Sequence, residues 1–177
     1  MDRKFNLIMK NLQDYIEDFK SLWNGKFWAS ENYVKTFKEI TPAQATCKPI
    51  PDLHSVAELV WHVAAWRKVM IVHLQGDNSY DIELNSKDDW KQIDEGDEVA
   101  WENAIKELQE TQNLILDLLK NADESTLDAT YKKKYNRAFL INGVIQHDIY
   151  HLGQIRMMLA IARAKSSTQR NTENIND

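Results

Sequence analysis

Cysteine is nearly missing: Cys47 is the only one in 177 residues, so no intrachain disulfide can form and neither a cysteine-rich zinc site nor a CxxC redox pair is available. Any bound metal must be held by histidine, aspartate or glutamate. Glycine and proline are scarce too, five and three in all, and so few breakers favour long helices. No run approaches the roughly 20 apolar residues of a membrane span. The opening MDRKFNLIMKNL carries charges where a signal peptide needs an apolar stretch. The expectation is a cytoplasmic protein with no membrane partner. Positive charge is in deficit as well. A net charge of −5 and a pI near 5.6 argue against a nucleic-acid partner covering much of the surface.

What the chain does have is apolar residues at helical spacing. Phe5, Ile8, Leu12, Tyr15, Ile16, Phe19, Leu22 and Trp23 predict a first amphipathic helix ending near Asn24 and Gly25. Pro42, Pro49 and Pro51 all fall in the next stretch, which reads as a crossover holding one short helix over Glu31 to Glu39. Ser55 and Glu58 have capping-box spacing and open a second helix that Gly76 stops. Asp77 to Gly96 is polar and aperiodic, a long loop with the character of a lid. Trp101, Ala104, Ile105, Leu108, Leu114 or Ile115, and Leu118 mark a third helix that stops near Asn121. An extended piece through LDATYKKKY leads to a fourth helix from about Asn136 to Ala164, and no strand pair is evident. The fold class expected is all-α: one four-helix bundle over residues 1–164, with a long crossover between the first two helices and a long loop between the second and third. The polar tail 165–177 is expected to be disordered.

The fourth helix spends two positions of its apolar stripe on imidazoles. Its inward face reads Leu140, Val144, His147, His151, Ile155, Met158 and Ala162, so the two histidines project from successive turns. They form a ready clamp for a divalent ion, which accepts nitrogen ligands at about 2.0 to 2.1 Å. The second helix offers a third ligand in the stripe Leu59, His62, Trp66, Val69, His73. The eleven residues from His62 to His73 span about 16 Å of helix, so the two cannot share one ion. His62 is the better ligand. His73, in the last turn, and His54, before the cap, are assigned structural roles. The plain alternative for His147 and His151 is a pair of hydrogen-bonded core histidines.

SVAELVWHVAAW, followed after a third helix by GVIQHDIYHLGQI, resembles the DinB-like four-helix bundles, which include the YfiT-type proteins. The likeness spans nearly the whole chain apart from the tail. In that family one histidine of the second helix and two of the fourth, in a pattern close to H-[DE]-x-x-H-x-G-Q-I, bind a divalent metal. The matching positions here are His62, His147 and His151, followed by Gly153, Gln154 and Ile155. Leu152 departs from the arginine that relatives often carry. The resemblance implies a homodimer with a small-molecule substrate. It also implies one of two activities: a metal-dependent hydrolase, or a transferase acting on low-molecular-weight thiols such as bacillithiol or mycothiol.

Three neutral nitrogen ligands leave a coordination position open for water or substrate, with zinc or nickel the expected ion. Bound water would ionise more easily, or a thiol cosubstrate could bind as thiolate. Around this site, Asp148 makes the motif HDxxH and is the candidate catalytic base, against the reading of a solvated or capping carboxylate. Glu58, Trp66 and Gln154 are candidate pocket residues or partners of the ligands, with helix capping the stronger reading for Glu58. Gly153 is expected to permit close helix packing. The run from Tyr131 to Arg137 reads as a solvated basic turn, or as an attractor for an anionic substrate. No histidine has a glutamate three residues before it, which excludes the usual di-metal carboxylate bundle. The competing function is a non-catalytic, dimeric stress or interaction bundle whose metal is structural or adventitious.

Overall fold

The computed structural model describes residues 10–26 and 28–173, with side chains as far as 165. Four long helices carry the architecture: α1 (Leu12–Trp23), α4 (Val56–Leu74), α5 (Glu98–Asn121) and α6 (Arg137–Glu173). Two short ones, α2 (Tyr33–Phe37) and α3 (Pro42–Thr46), lie in the crossover. The first is the short helix expected there; the second starts at Pro42, where the fixed φ and missing N–H of proline suit a first helical turn. Both α4 and α1 pack against α5 and α6, which closes a four-cornered bundle.

Local chemistry sets the helix ends. Asn11 and Asp14 form a capping box at the start of α1; Phe5 and Ile8, assigned to this helix by periodicity, lie outside the described residues. Ser55 and Glu58 close the box predicted for α4. At the other end of α4, the N–H of Gly76 donates to the carbonyl of His73 and that of Asp77 to the carbonyl of Val72. Gly76 has φ +104°, a conformation that glycine alone adopts without strain, so the helix stops there. The α4 helix is buried on nearly every side, as a central helix must be, whereas α1 and α5 present one apolar face each.

Two expectations are corrected. TYKKKYN is not a plain turn: Thr130–Tyr131 and Tyr135–Asn136 pair antiparallel, with Thr130 opposite Asn136 and Tyr131 opposite Tyr135. Lys132 at its tip has φ +50° and pairs with Asp81 at 2.8 Å. The last helix runs beyond Ala164 to Glu173, so the first part of the polar tail continues α6. Among the described residues no helix is long and apolar enough to cross a membrane.

Two large clusters make up most of the apolar interior, and a small third one joins Ala65, Val69 and Ile82. One cluster gathers Leu59, Val60, Val63, Ala64, Leu108, Leu152, Ile155 and Leu159; the other gathers Phe19, Met70, Ile71, Ile115, Leu140, Ile141, Val144 and Ile145. Between these two sets in sequence, on α4 and α6, fall Arg67 and Asp148. Both side chains are wholly buried, with Arg67 Nη2 2.6 Å from Asp148 Oδ2 and Nε donating to the same oxygen at 2.8 Å. Arg67 Nη1 donates to Gln112 Oε1, and Gln112 donates onward to the carbonyl of Phe19. The guanidinium carbon lies 5.7 Å from the Phe19 ring centroid and 5.5 Å from that of Tyr33. A polar layer thus crosses the middle of the bundle.

Candidate metal centre

His62, His147 and His151 meet beside this layer. Each offers a ring nitrogen, and the three nitrogens lie within 4.8 Å of one another. His62 comes from the second turn of α4, while His147 and His151 stack one turn apart on α6 with ring centroids 4.3 Å apart. The fold thus brings His62, from a different helix, to the two histidines of α6. His73 and His54 are apart from the cluster. His73 is buried and its Nε2 lies 2.9 Å from the carbonyl of Tyr80, while the half-exposed His54 lies 3.3 Å from Glu58.

Hydrogen bonds select the tautomer of two of the three rings. His62 Nδ1 donates to the backbone carbonyl of Asp89 at 2.8 Å, with Asp89 Oδ1 at 3.1 Å. His151 Nδ1 donates to Gln154 Oε1 at 2.7 Å. In both rings the proton sits on Nδ1, which leaves the Nε2 lone pair to face its neighbours. His62 Nε2 is 3.0 Å from His147 Nε2. Two ligands at about 2.0 to 2.1 Å from one tetrahedral ion sit about 3.3 Å apart, so the pair is already close to that spacing. His147 Nδ1 is a buried polar atom without a hydrogen-bond partner. Three neutral imidazoles with ring nitrogens within 4.8 Å of one another, two of them held with Nε2 unprotonated, fit a divalent cation.

Burial also sets the charge state. It lowers the pKa of all three imidazoles: His147 to about 3, with His151, His62 and Arg67 adding to the effect, and His151 to about 4, against a smaller opposing pull from Gln154. The rings are neutral at pH 7, the form that ligates metals.

The triad lies in a cavity of about 760 Å³. Its polar lining is confined to the triad, His54, Asn85, Asp89, Gln154 and the polar edges of Trp66, Trp90, Tyr131 and Tyr150; the rest is aliphatic, Phe139 or Gly143. Trp66 and Gln154 are pocket residues, as expected. Glu58 is not. Its carboxylate accepts from the backbone of Ser55 and Ile93 and pairs with Lys48 at 2.9 Å, so it caps α4 and ties down the loop. Burial raises its pKa, but these partners outweigh that and hold it below the ordinary carboxylate range.

Asp148, the candidate base, is absent from the cavity wall and holds Arg67 in the interior. One step along a helix turns a side chain by about 100°, which takes Asp148 off the face that His147 occupies. The close-packing role expected of Gly153 also fails: a Cβ there would meet nothing within 4 Å.

The long polar loop supplies what the sequence reading missed. Asp89 is buried, and its carboxylate accepts from Trp66 Nε1 and the Asn85 N–H, both at 2.8 Å, while touching His62. Trp90 is sandwiched between imidazoles, its centroid 3.8 Å from that of His62 and 3.6 Å from that of His54, with planes within 6°. With Ile82 and Ile93 also buried, this loop is a fixed wall of the site rather than a lid. The available signal was Ile82, Asp89, Trp90 and Ile93, apolar and aromatic residues in an otherwise polar stretch.

A family model described as the DinB superfamily matches residues 28–155, which include all three histidines. Comparison with curated proteins returned no match, nor did comparison with solved structures. The family match covers well over half of the chain, the helical fold and the histidine cluster agree with it, and the chain belongs to the DinB superfamily.

Proposed function

We propose that this protein is a divalent-metal-dependent enzyme that transfers the sulfur of a low-molecular-weight thiol to an electrophile, with His62, His147 and His151 as ligands to zinc or nickel. One observation carries the choice of thiol transfer over hydrolysis. Among the described residues Asp89 is the only carboxylate lining the cavity, and it is engaged by Trp66, Asn85 and His62. Metal-bound water would itself ionise near pH 7, but hydrolysis also calls for a general base to hold the released proton for the leaving group, and Asp148 lies outside the cavity. A thiol has a pKa near 8.5 and needs no such base once a cation stabilises its anion. An ion on the three nitrogens would supply that stabilisation at its open position.

The residues of the chain do the rest. Asp89 and Gln154 hold the imidazoles of His62 and His151 in the ligating tautomer, and Trp90 fixes the plane of the His62 ring. The aliphatic walls keep water from an electrophile bound beside the sulfur. The thiol gives its proton to solvent, a carbon–sulfur bond forms, and the bond to the leaving group breaks with its electron pair. The protein is read as a homodimer acting on a small molecule.

Metal content of untagged protein is the first test, with one equivalent expected for the wild type and none for His147→Ala. Metal-loaded protein is then given a panel of thiols with monobromobimane, and separately p-nitrophenyl esters and anilides. Thiol consumption that His147→Ala abolishes supports the proposal. Ester or amide cleavage alone would move the assignment to hydrolase, and metal binding without either reaction would favour the interaction bundle.

A further inference from the structure

The cavity does not end at the triad. Its wall on α6 extends from Phe139 to Met158, about 28 Å of helix, with His147 and His151 near the middle. One arm lies toward Leu53, Leu59, Met157 and Met158; the other lies along Leu140, Gly143, Val144 and Phe139 to Tyr131. Both arms are apolar. Phe139, at the end of the second arm, also lines a separate groove with Thr130, Lys133, Lys134, Tyr135 and Asn136. Phe139 and Tyr135 stack there at 4.1 Å, forming an aromatic ledge between the two. Lys132 is neutralised by Asp81, but neither Lys133 nor Lys134 has an acidic partner among the described residues.

Gly143 lines this arm. Glycine within a helix is disfavoured relative to alanine, and no packing contact requires it here, since a Cβ would meet nothing within 4 Å. Its face is open cavity.

We infer that this arm binds an amphipathic organic anion, its apolar body along Gly143, Val144 and Leu140 and its acidic group against Lys133 and Lys134. This deepens the proposed function by naming the class of electrophilic substrate, and rests on that reading only for which end reacts. A carboxylate or sulfonate separated from the reactive carbon by a hydrocarbon stretch fits both the apolar walls and the uncompensated ammonium groups.

The test uses chelator-treated protein, so that failure of the metal assignment leaves it standing. Fluorescence of 1-anilinonaphthalene-8-sulfonate is followed on titration, and the dye is displaced with sodium octanoate or with 1-octanol. Octanoate is expected to displace it at about a fivefold lower concentration than octanol, an advantage that the double variant Lys133→Ala, Lys134→Ala removes. Gly143→Leu should weaken octanoate at least tenfold while leaving metal stoichiometry at the wild-type value. Gly143→Ala, which favours the helix and so guards against misfolding, should weaken it about threefold. Equal displacement by octanol and octanoate, or affinities unchanged in both Gly143 variants, would overturn the inference. Intact octanoate binding with no metal uptake would instead refute the metal centre alone.

Discussion

Removing the Asp89 carboxylate separates its two duties. In Asp89→Ala the backbone carbonyl that accepts from His62 Nδ1 at 2.8 Å is retained, and only the side-chain oxygen at 3.1 Å is lost. Loss of a partner behind a metal ligand typically weakens metal binding 10- to 100-fold. With half of the support still in place the lower end applies, about tenfold or 1.4 kcal/mol. Folding suffers separately. Trp66 Nε1–H and the Asn85 N–H lose their acceptor, and each orphaned donor costs about 1 to 3 kcal/mol, less where water reaches it. We expect metal-free Asp89→Ala to be about 2 to 4 kcal/mol less stable to urea than wild type, and competition with a chromophoric chelator at pH 7 to report the tenfold loss of zinc affinity. Equal zinc affinity with lowered stability would refute the coupling and reduce Asp89 to a loop latch. Asp89→Asn keeps one acceptor for two donors that use separate oxygens, so it should recover at most about half of the folding loss and not all of the metal affinity.

Other consequences are as direct. The three site imidazoles have folded pKa values below the unfolded value of about 6.5, so the unfolded chain takes up protons first. Stability of the metal-free protein should therefore hold above pH 6.5 and fall as pH drops toward 4, by about 1 kcal/mol per pH unit for each of His147 and His151, with His62 acting in the same direction. Denaturant midpoints at pH 7.5, 6 and 5 check this, and a flat profile would mean that the native rings take up protons as readily as the unfolded chain does. Asp148→Asn leaves the Arg67 guanidinium buried without a counter-charge and should cost about 3 to 5 kcal/mol by the same measurement. Gly153→Ala, at an exposed mid-helix position with open space around it, should raise stability by about 0.5 to 1 kcal/mol and leave metal uptake alone.

The parts of the molecule legible from sequence are those governed by local periodicity. A histidine at every fourth position of an apolar stripe, and a glutamine three residues beyond the second, are placed by helix geometry alone, so the His147–His151 pair and the position of Gln154 followed from the pattern, whereas His62 lies 85 residues before His147 and its part in the set rested on the family resemblance. Asp89 and Trp90 lie 27 and 28 residues after His62, on a segment with no period, and only the packing of Ile82 and Ile93 brings them to the ring. Arg67 illustrates the opposite failure. It reads as one more polar residue on an amphipathic helix, yet α4 is enclosed on nearly all sides, and the charge is accommodated by Asp148, 81 residues away. Asp148 was misread for the same reason: adjacency to a ligand in sequence means a turn of about 100° on a helix. The two-residue strands at Thr130 and Tyr135 are shorter than any alternation that a sequence can display.

The charged layer across the bundle has a consequence for assembly. Aliphatic helices slide past one another at little cost, because one leucine fits where another did. A one-turn slip of α6 against α4, about 5.4 Å, would carry Asp148 away from Arg67 and strand a guanidinium among hydrocarbon. Only one alignment of the two helices escapes that penalty, and it is the alignment that sets His147 and His151 opposite His62. The ion pair acts as a vernier for the histidines: register is fixed before any ligand arrives, by groups that never touch it.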